Sequence, residues 1–231
     1  MLLRYLKSLI YNSVAELRIN ILPISMAAVE YLNRPIESSK DLILKEAFKL
    51  FLQKNVEKVT VPELERVTKL QRGAIFYHFK NKEAIFKEVI EIYFFSPINI
   101  FYPVNSDNVH SLKEYWAKKN SHLDEIHNWF YREGIPINPY SAFFHLVEQA
   151  DLYLPTFKQD MYNLLEADRK CWIQVSSKDS KLSYGNMNVS LMADVLESIF
   201  LANYFKFCYN INTNISDYKI TYIEDIEQLF K

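Results

Sequence analysis

Three glycines in 231 residues constrain this chain more than any other feature of its sequence. Globular proteins average roughly 7% glycine, because turns and bulges call for positive φ or a backbone without Cβ. A many-turned β protein cannot be built from so few, whereas long helices joined by few special turns can. The chain is therefore expected to be all-α, and its length suffices for one large or two small domains around a sizeable core.

The helical signals are densest from Asp41 to Tyr93. A first helix opens at Ser38 or Ser39, where Ser38 with Asp41 three residues on has the form of a capping box. Leu44, Ala47, Phe48 and Phe51 then fall on one apolar face. Asn55, a residue that tolerates left-handed backbone, is expected to end this helix. Thr60-Val61-Pro62-Glu63 starts a second, short helix with a capping Thr, a Glu positioned to reach back and a Pro in the first turn. It carries Leu64 and Val67 inward and yields near Thr68-Lys69.

A third helix follows within Leu70–Phe79. Leu70, Ile75 and Phe79 can face a core, which leaves Arg72, Ala74, Tyr77 and His78 on other sides. The second and third helices have the dimensions of a helix-turn-helix, whose second helix enters the DNA major groove. Arg72 can read guanine bidentately, Ala74 can touch a thymine methyl, and Gly73 lets another backbone approach closely. A solvated helix face is the bland alternative for the same residues. Lys80-Asn81-Lys82 leads into a fourth, amphipathic helix bearing Ile85, Phe86, Val89, Ile90 and Tyr93.

With these residues in view, Ile43 to Tyr93 resembles the DNA-binding domain of the TetR/AcrR family of transcriptional regulators. The resemblance rests on Ala47, Phe48 and Phe51, on Thr60-Val61, and on Gly73-Ala74-Ile75-Phe76-Tyr77-His78-Phe79 followed by Lys82-Glu83. It covers under a quarter of the chain, and GAIFYHFKNKEAIF is its specific part. It implies double-stranded DNA as partner, with Arg72, Ala74 and Tyr77 toward bases, Thr60, His78, Lys80 and Lys82 toward phosphates, and Gln71 and Gly73 as further DNA-binding residues. The departures are Glu65 where the family usually has Ala, Lys69 for Gly in the turn, Gln71 for Ser, and Phe76 for a phosphate-contacting Tyr. If the family's turn is kept, Lys69 must accept φ > 0. Tyr77, next to Phe76, could supply the missing hydroxyl.

Residues 1–37 precede this reader, with Leu2, Leu3, Leu6, Leu9 and Ile10 at helical spacing and Pro23 and Pro35 as breaks. They are read as a weakly ordered extension or the product of a misassigned start, Met26 being the alternative. A helix packed on the reader, or one lying on a membrane surface, remains open. Residues 38–95 form the helix-turn-helix domain and residues 96–231 a helical regulatory and dimerisation body, with SPINIFYP at 96–103 as the joint. Helices are expected over about 109–131, 140–153, 156–175 and 189–209, a loop over 176–188, and a last segment over 222–230.

The resemblance implies that this body senses a ligand and pairs two copies. Trp116, Phe143, Phe144, His145, Tyr162 and Trp172 are candidates to line a pocket for a small apolar or aromatic effector. Each of them could instead be an ordinary core side chain. The helices starting near Thr156 and Val189 are the candidates for pairing.

The formal net charge of −1 does not advertise nucleic acid, but its distribution is uneven. From 40 to 96 there are 11 Lys/Arg against 8 Asp/Glu, and from 97 to 231 there are 12 against 17. A mildly basic front on an acidic body suits a domain that meets phosphate ahead of one that does not.

Cys171 and Cys208 make neither a disulfide framework nor a metal motif, and reduced thiols in a cytoplasmic protein are expected. No apolar run has the length of a membrane span, and no signal-peptide pattern is present. The five histidines show no metal spacing, and there is no phosphate loop or nucleophile elbow. Neither a catalytic residue, a metal nor a cofactor is expected. The expectation is a ligand-responsive repressor acting as a homodimer on a palindromic operator. The competing expectation is a helical dimer whose drifted head serves a protein partner or a membrane surface.

Overall fold

The computed structural model describes residues 31, 35–179, 188–210 and 220, and among them every regular element is helical. The expected terminal segment 222–230, the extension before Tyr31 and most of the 176–188 loop lie outside the described residues.

The head begins with α1 (Ser39–Phe51), capped by the Ser38 hydroxyl, which accepts the Asp41 N–H at 3.1 Å. Its buried face is the expected one, Leu44, Ala47, Phe48 and Phe51, joined by Ile43 and Leu50. The helix stops at Leu52 rather than at Asn55. Asn55 is extended (φ −60°, ψ 151°) and opens a 3-10 turn, Val56–Lys58, so it performs no left-handed stop.

Helix α2 (Val61–Thr68) realises the full capping box. Thr60 Oγ1 accepts the Glu63 N–H at 3.3 Å and the Glu63 carboxylate accepts the Thr60 N–H at 3.0 Å. Lys69 adopts φ 60°, ψ 20°, as the turn demands of it. Thr68 braces that turn, donating to Leu64 O at 2.6 Å and accepting the Leu70 N–H at 3.2 Å. Helix α3 (Arg72–His78) follows, and then α4 (Lys82–Val89), capped by Asn81. The chain leaves α4 through a π turn over Ile90–Phe94.

The body comprises α5 (Leu112–Arg132), α6 (Pro139–Tyr153), α7 (Phe157–Lys178) and α8 (Val189–Phe207). Leu112, Trp116, Leu123, Ile126 and Phe130 form the buried face of α5, as their spacing requires. Gly134 ends that helix at φ 64°, a conformation glycine adopts without strain. Asn138 caps α6 through Oδ1 and donates to Phe207 O at 2.7 Å, tying the start of α6 to the end of α8.

Head and body share one uninterrupted apolar core. Phe48 stacks on Tyr93 (centroids 4.8 Å apart, planes 7° apart) and packs against Trp129 and Phe143 of the body. The segment 96–103, expected as a joint, is a buried knot. Ser96 Oγ donates to Tyr93 O, Asn99 Nδ2 to Phe94 O, and the Asn99 carbonyl meets His122 Nε2 at 3.2 Å. Its apolar residues fill the space between α4 and the body instead of spanning solvent.

Two histidines of α5 are held neutral. Burial lowers His127 from 6.5 to about 4, and lowers the half-buried His122 to about 4, with Lys119 adding to the effect. Between those values the unfolded chain binds protons that the folded chain refuses, so stability falls as pH drops from about 6.5 to about 4. Glu197, raised to about 7 by burial and by Asp168, works in the opposite direction over its own window. We therefore expect urea unfolding midpoints to fall between pH 6.5 and pH 4. His127→Gln should remove about 3 kcal/mol of that loss.

Candidate nucleic-acid interface

The two faces of α3 divide as its sequence requires. Ile75 and Phe79 are buried against α1 and α2, with Leu70 packed at the edge. Gln71, Arg72, Gly73 and Ala74 are exposed, as are Tyr77 (85% accessible) and Lys80. Gly73 has no positive φ, and a Cβ built on it meets nothing within 4 Å. The chain's own packing therefore does not require glycine there. What glycine offers is room for an external surface to approach the backbone.

Phe76 has a role that its missing hydroxyl concealed. The Arg72 guanidinium lies over the Phe76 ring, 5.5 Å from its centroid, a cation–π contact that limits the arginine's freedom. Tyr77 and His78 meet edge to face at 5.1 Å, and His78 Nε2 lies 3.1 Å from Ser39 Oγ. Helix α3 is thus held to α1 at its C-terminal end, while Arg72 and Tyr77 project from it.

Three residues assigned to phosphate are engaged inside the head, His78 with Ser39 and also Thr60 and Lys82. Thr60 is exposed, but its hydroxyl is committed to the capping box. Lys82 Nζ donates to Glu57 O and Val59 O, both at 2.9 Å, and so clasps the 3-10 turn to the start of α4. The sequence showed a lysine at a family position but not these carbonyls. Lys80, by contrast, is exposed.

The body grips the same turn. Gln149 of α6, buried, accepts the Val56 N–H at 2.6 Å through Oε1. Tyr153 donates to the Glu57 carboxylate and lies against Phe86. Neither residue stood out in the sequence. Their signal is weak, a polar side chain one turn from apolar ones at the end of a helix.

The six aromatic candidates of the body are not gathered into one cavity. Trp116 and Trp172 meet at 6.0 Å, while Phe143 lies under Phe48. Phe144 packs on Phe101 and Phe205, His145 is half-buried, and Tyr162 is 59% accessible at the surface. Around the two tryptophans lies a feature missed in the sequence, a buried ion pair of Lys119 with Asp168 at 2.6 and 2.7 Å. Tyr115, Trp172 and Phe200 surround its ammonium, and Trp172 Nε1 donates to the carboxylate at 3.2 Å. Lys119 three residues after Trp116, on an otherwise apolar face, was the available clue.

Cys171 and Cys208 are both free, and burial raises each thiol, which keeps them protonated. Among the described residues no group of acidic, histidine or cysteine side chains could hold a metal ion. No described helix is long and apolar enough to cross a membrane.

Comparison with known proteins fits this geometry. Residues 43–89 match the family model of bacterial regulatory proteins, tetR family. The HTH-type transcriptional regulator AcrR of Shigella flexneri is 34% identical over 56 residues, 24% of this chain and 26% of that protein. The HTH-type transcriptional regulator QacR of Staphylococcus aureus (strain Mu50 / ATCC 700699) is 36% identical over 53 residues, 23% of this chain and 28% of that protein. The matched region thus spans about a quarter of these curated relatives, and no solved structure matches significantly. With its helix-turn-helix built from α2 and α3 ahead of a helical body, the chain carries over residues 43–89 the N-terminal domain of the tetR family of bacterial regulatory proteins.

Proposed function

We propose that this protein is a sequence-specific, double-stranded-DNA-binding transcriptional regulator, acting in the cytoplasm as a ligand-responsive homodimeric repressor. The observation that carries this reading is the exposed face of α3. Arg72 and Tyr77 stand clear of the core beside a glycine that no internal contact requires. Arg72 is preset on Phe76, Ala74 is open to a thymine methyl, and Lys80 is placed for phosphate. Residues 38–95 act as the reader and the remaining helices as the regulatory body. The tetR-family match over the same stretch, and its similarity to two HTH-type transcriptional regulators, support it.

Pairing is supported by α8. Leu191, Val195, Ser198, Ala202 and Phe205, with Tyr209 in the turn just beyond the helix, recur at alternating spacings of four and three, forming one apolar or small-residue stripe. Leu191, Phe205 and Tyr209 on it are 58%, 58% and 74% accessible. A second copy of α8 would bury that stripe, as heptad-spaced helices do. Two heads on such a dimer would meet major-groove faces about 34–36 Å apart on a palindrome. The effector is a small apolar or aromatic molecule received by the aromatic body, with Tyr162 outside its lining. It would release DNA by binding one separation of the heads better than the other.

Selection of random duplex DNA on the purified protein at two salt concentrations tests the reading. A palindrome should be enriched, and its binding lost steeply as salt rises. Absence of enrichment at low salt would refute DNA reading by the unaided protein. On the selected site, Arg72→Ala should cut discrimination at one base pair by about tenfold. Lys82→Ala should weaken all duplexes alike and also lower the melting temperature, since its ammonium holds the 3-10 turn. For pairing, Phe205→Glu should yield a monomer in sedimentation velocity. A dimer unchanged by that charge would place the interface elsewhere.

A further inference from the structure

We propose that Glu65 is a second specificity-determining residue of the reading head, one that caps α3 and meets a base amino group at the groove edge. The inference rests on the DNA-reading function proposed above. Glu65 belongs to α2, the supporting helix, yet its Oε1 accepts the Arg72 N–H at 2.7 Å across the turn. Gln71, at the N-cap position of α3, makes no side-chain capping bond. An uncapped helix start leaves opening N–H groups without partners, and a carboxylate satisfies one with a charge-assisted bond. Glu65 therefore replaces the missing cap from another helix. In doing so it fixes α3 against α2 over a turn that must hold Lys69 at φ 60°.

This contact also places a negative charge against the Arg72 backbone, at the start of the helix proposed to read DNA. Oε1 is committed to the backbone, and Oε2 is left to accept a further hydrogen bond. Among base edges in the major groove, only the exocyclic amino groups of cytosine and adenine can donate one. Facing a phosphate instead, the same carboxylate is repelled. The two effects have opposite signs for the two kinds of complex. On non-specific DNA, where binding is to phosphates, Glu65 is a penalty; at a site presenting an amino group opposite it, Glu65 is a contact. The residue thereby widens the ratio between specific and non-specific binding in addition to setting the pose of α3.

The test compares wild type, Glu65→Gln and Glu65→Ala as full-length chains, each titrated with the selected duplex and with a scrambled one. Amide hydrogen exchange at Arg72 is followed in parallel. Glu65→Gln keeps an acceptor for the Arg72 N–H but carries no charge. It should bind the scrambled duplex roughly fivefold more tightly and the selected duplex more weakly, with Arg72 still protected. Glu65→Ala should lose the protection at Arg72 and weaken the selected duplex further. Shifts of equal sign and size on both duplexes would reduce Glu65 to an ordinary surface charge and overturn the proposal. Unchanged exchange at Arg72 in Glu65→Ala would overturn the capping role. A wild-type protein that prefers no duplex refutes the DNA-reading function and the base contact with it, while the Arg72 amide still decides the cap.

Discussion

The packing of Phe48 is the interaction on which the rest of the molecule depends. Its ring lies on Tyr93 at the end of the head and reaches Trp129 and Phe143 in the body. A single side chain of the first helix thus belongs to both halves of the core. Aromatic pairs at these separations add to the free energy of simple burial, and a core this close-packed transmits displacement instead of absorbing it. The polar contacts at the same border reinforce the effect, since Lys49 binds Glu133 at 3.1 Å and Gln149 binds the Val56 N–H. The pose of α2 and α3 is consequently a property of the whole chain.

A second constraint lies deeper. Lys119 and Asp168 are 2% and 6% accessible, so their charges have left water almost completely. Such a pair gains little net stability over well-packed apolar side chains, but losing either partner strands the other at a cost of about 3–5 kcal/mol. The cost of burial is reduced here by Trp172 and Tyr115, which donate to the carboxylate, and by aromatic rings around the ammonium. Because α5 supplies the cation and α7 the anion, the pair fixes the register of those two helices. Register matters in this body, since α7 carries Arg169, bound to Asp194 of α8 at 2.5 Å, and α8 carries the outward stripe. A buried charge pair thereby orients the face proposed for pairing.

Much of the head was legible because its signals are local. Thr60 and Glu63 form their capping box within four residues, and the positive φ at Lys69 follows from the turn that the motif requires. The faces of α1, α3 and α5 follow from helical spacing alone. What periodicity cannot supply is the identity of the partner. Asn55 has the composition of a helix stop, yet the chain had already left α1 to place Val56 against Gln149. The 96–103 segment has the prolines of a joint, yet its apolar side chains find a core on both sides. Lys82 reads in the sequence as a candidate for phosphate, and only folding brings Glu57 O and Val59 O to it. The aromatic residues of α5, α6 and α7 could be named but not sorted, because which of them meet depends on how three helices cross.

The most direct test of this account is amide hydrogen exchange across the full chain, alone and with the duplex it selects. Protection should appear at the start of α2 and along Gln71–Tyr77, while α7 and α8 exchange as before. Protection that spares α3 in a protein holding DNA would contradict the account.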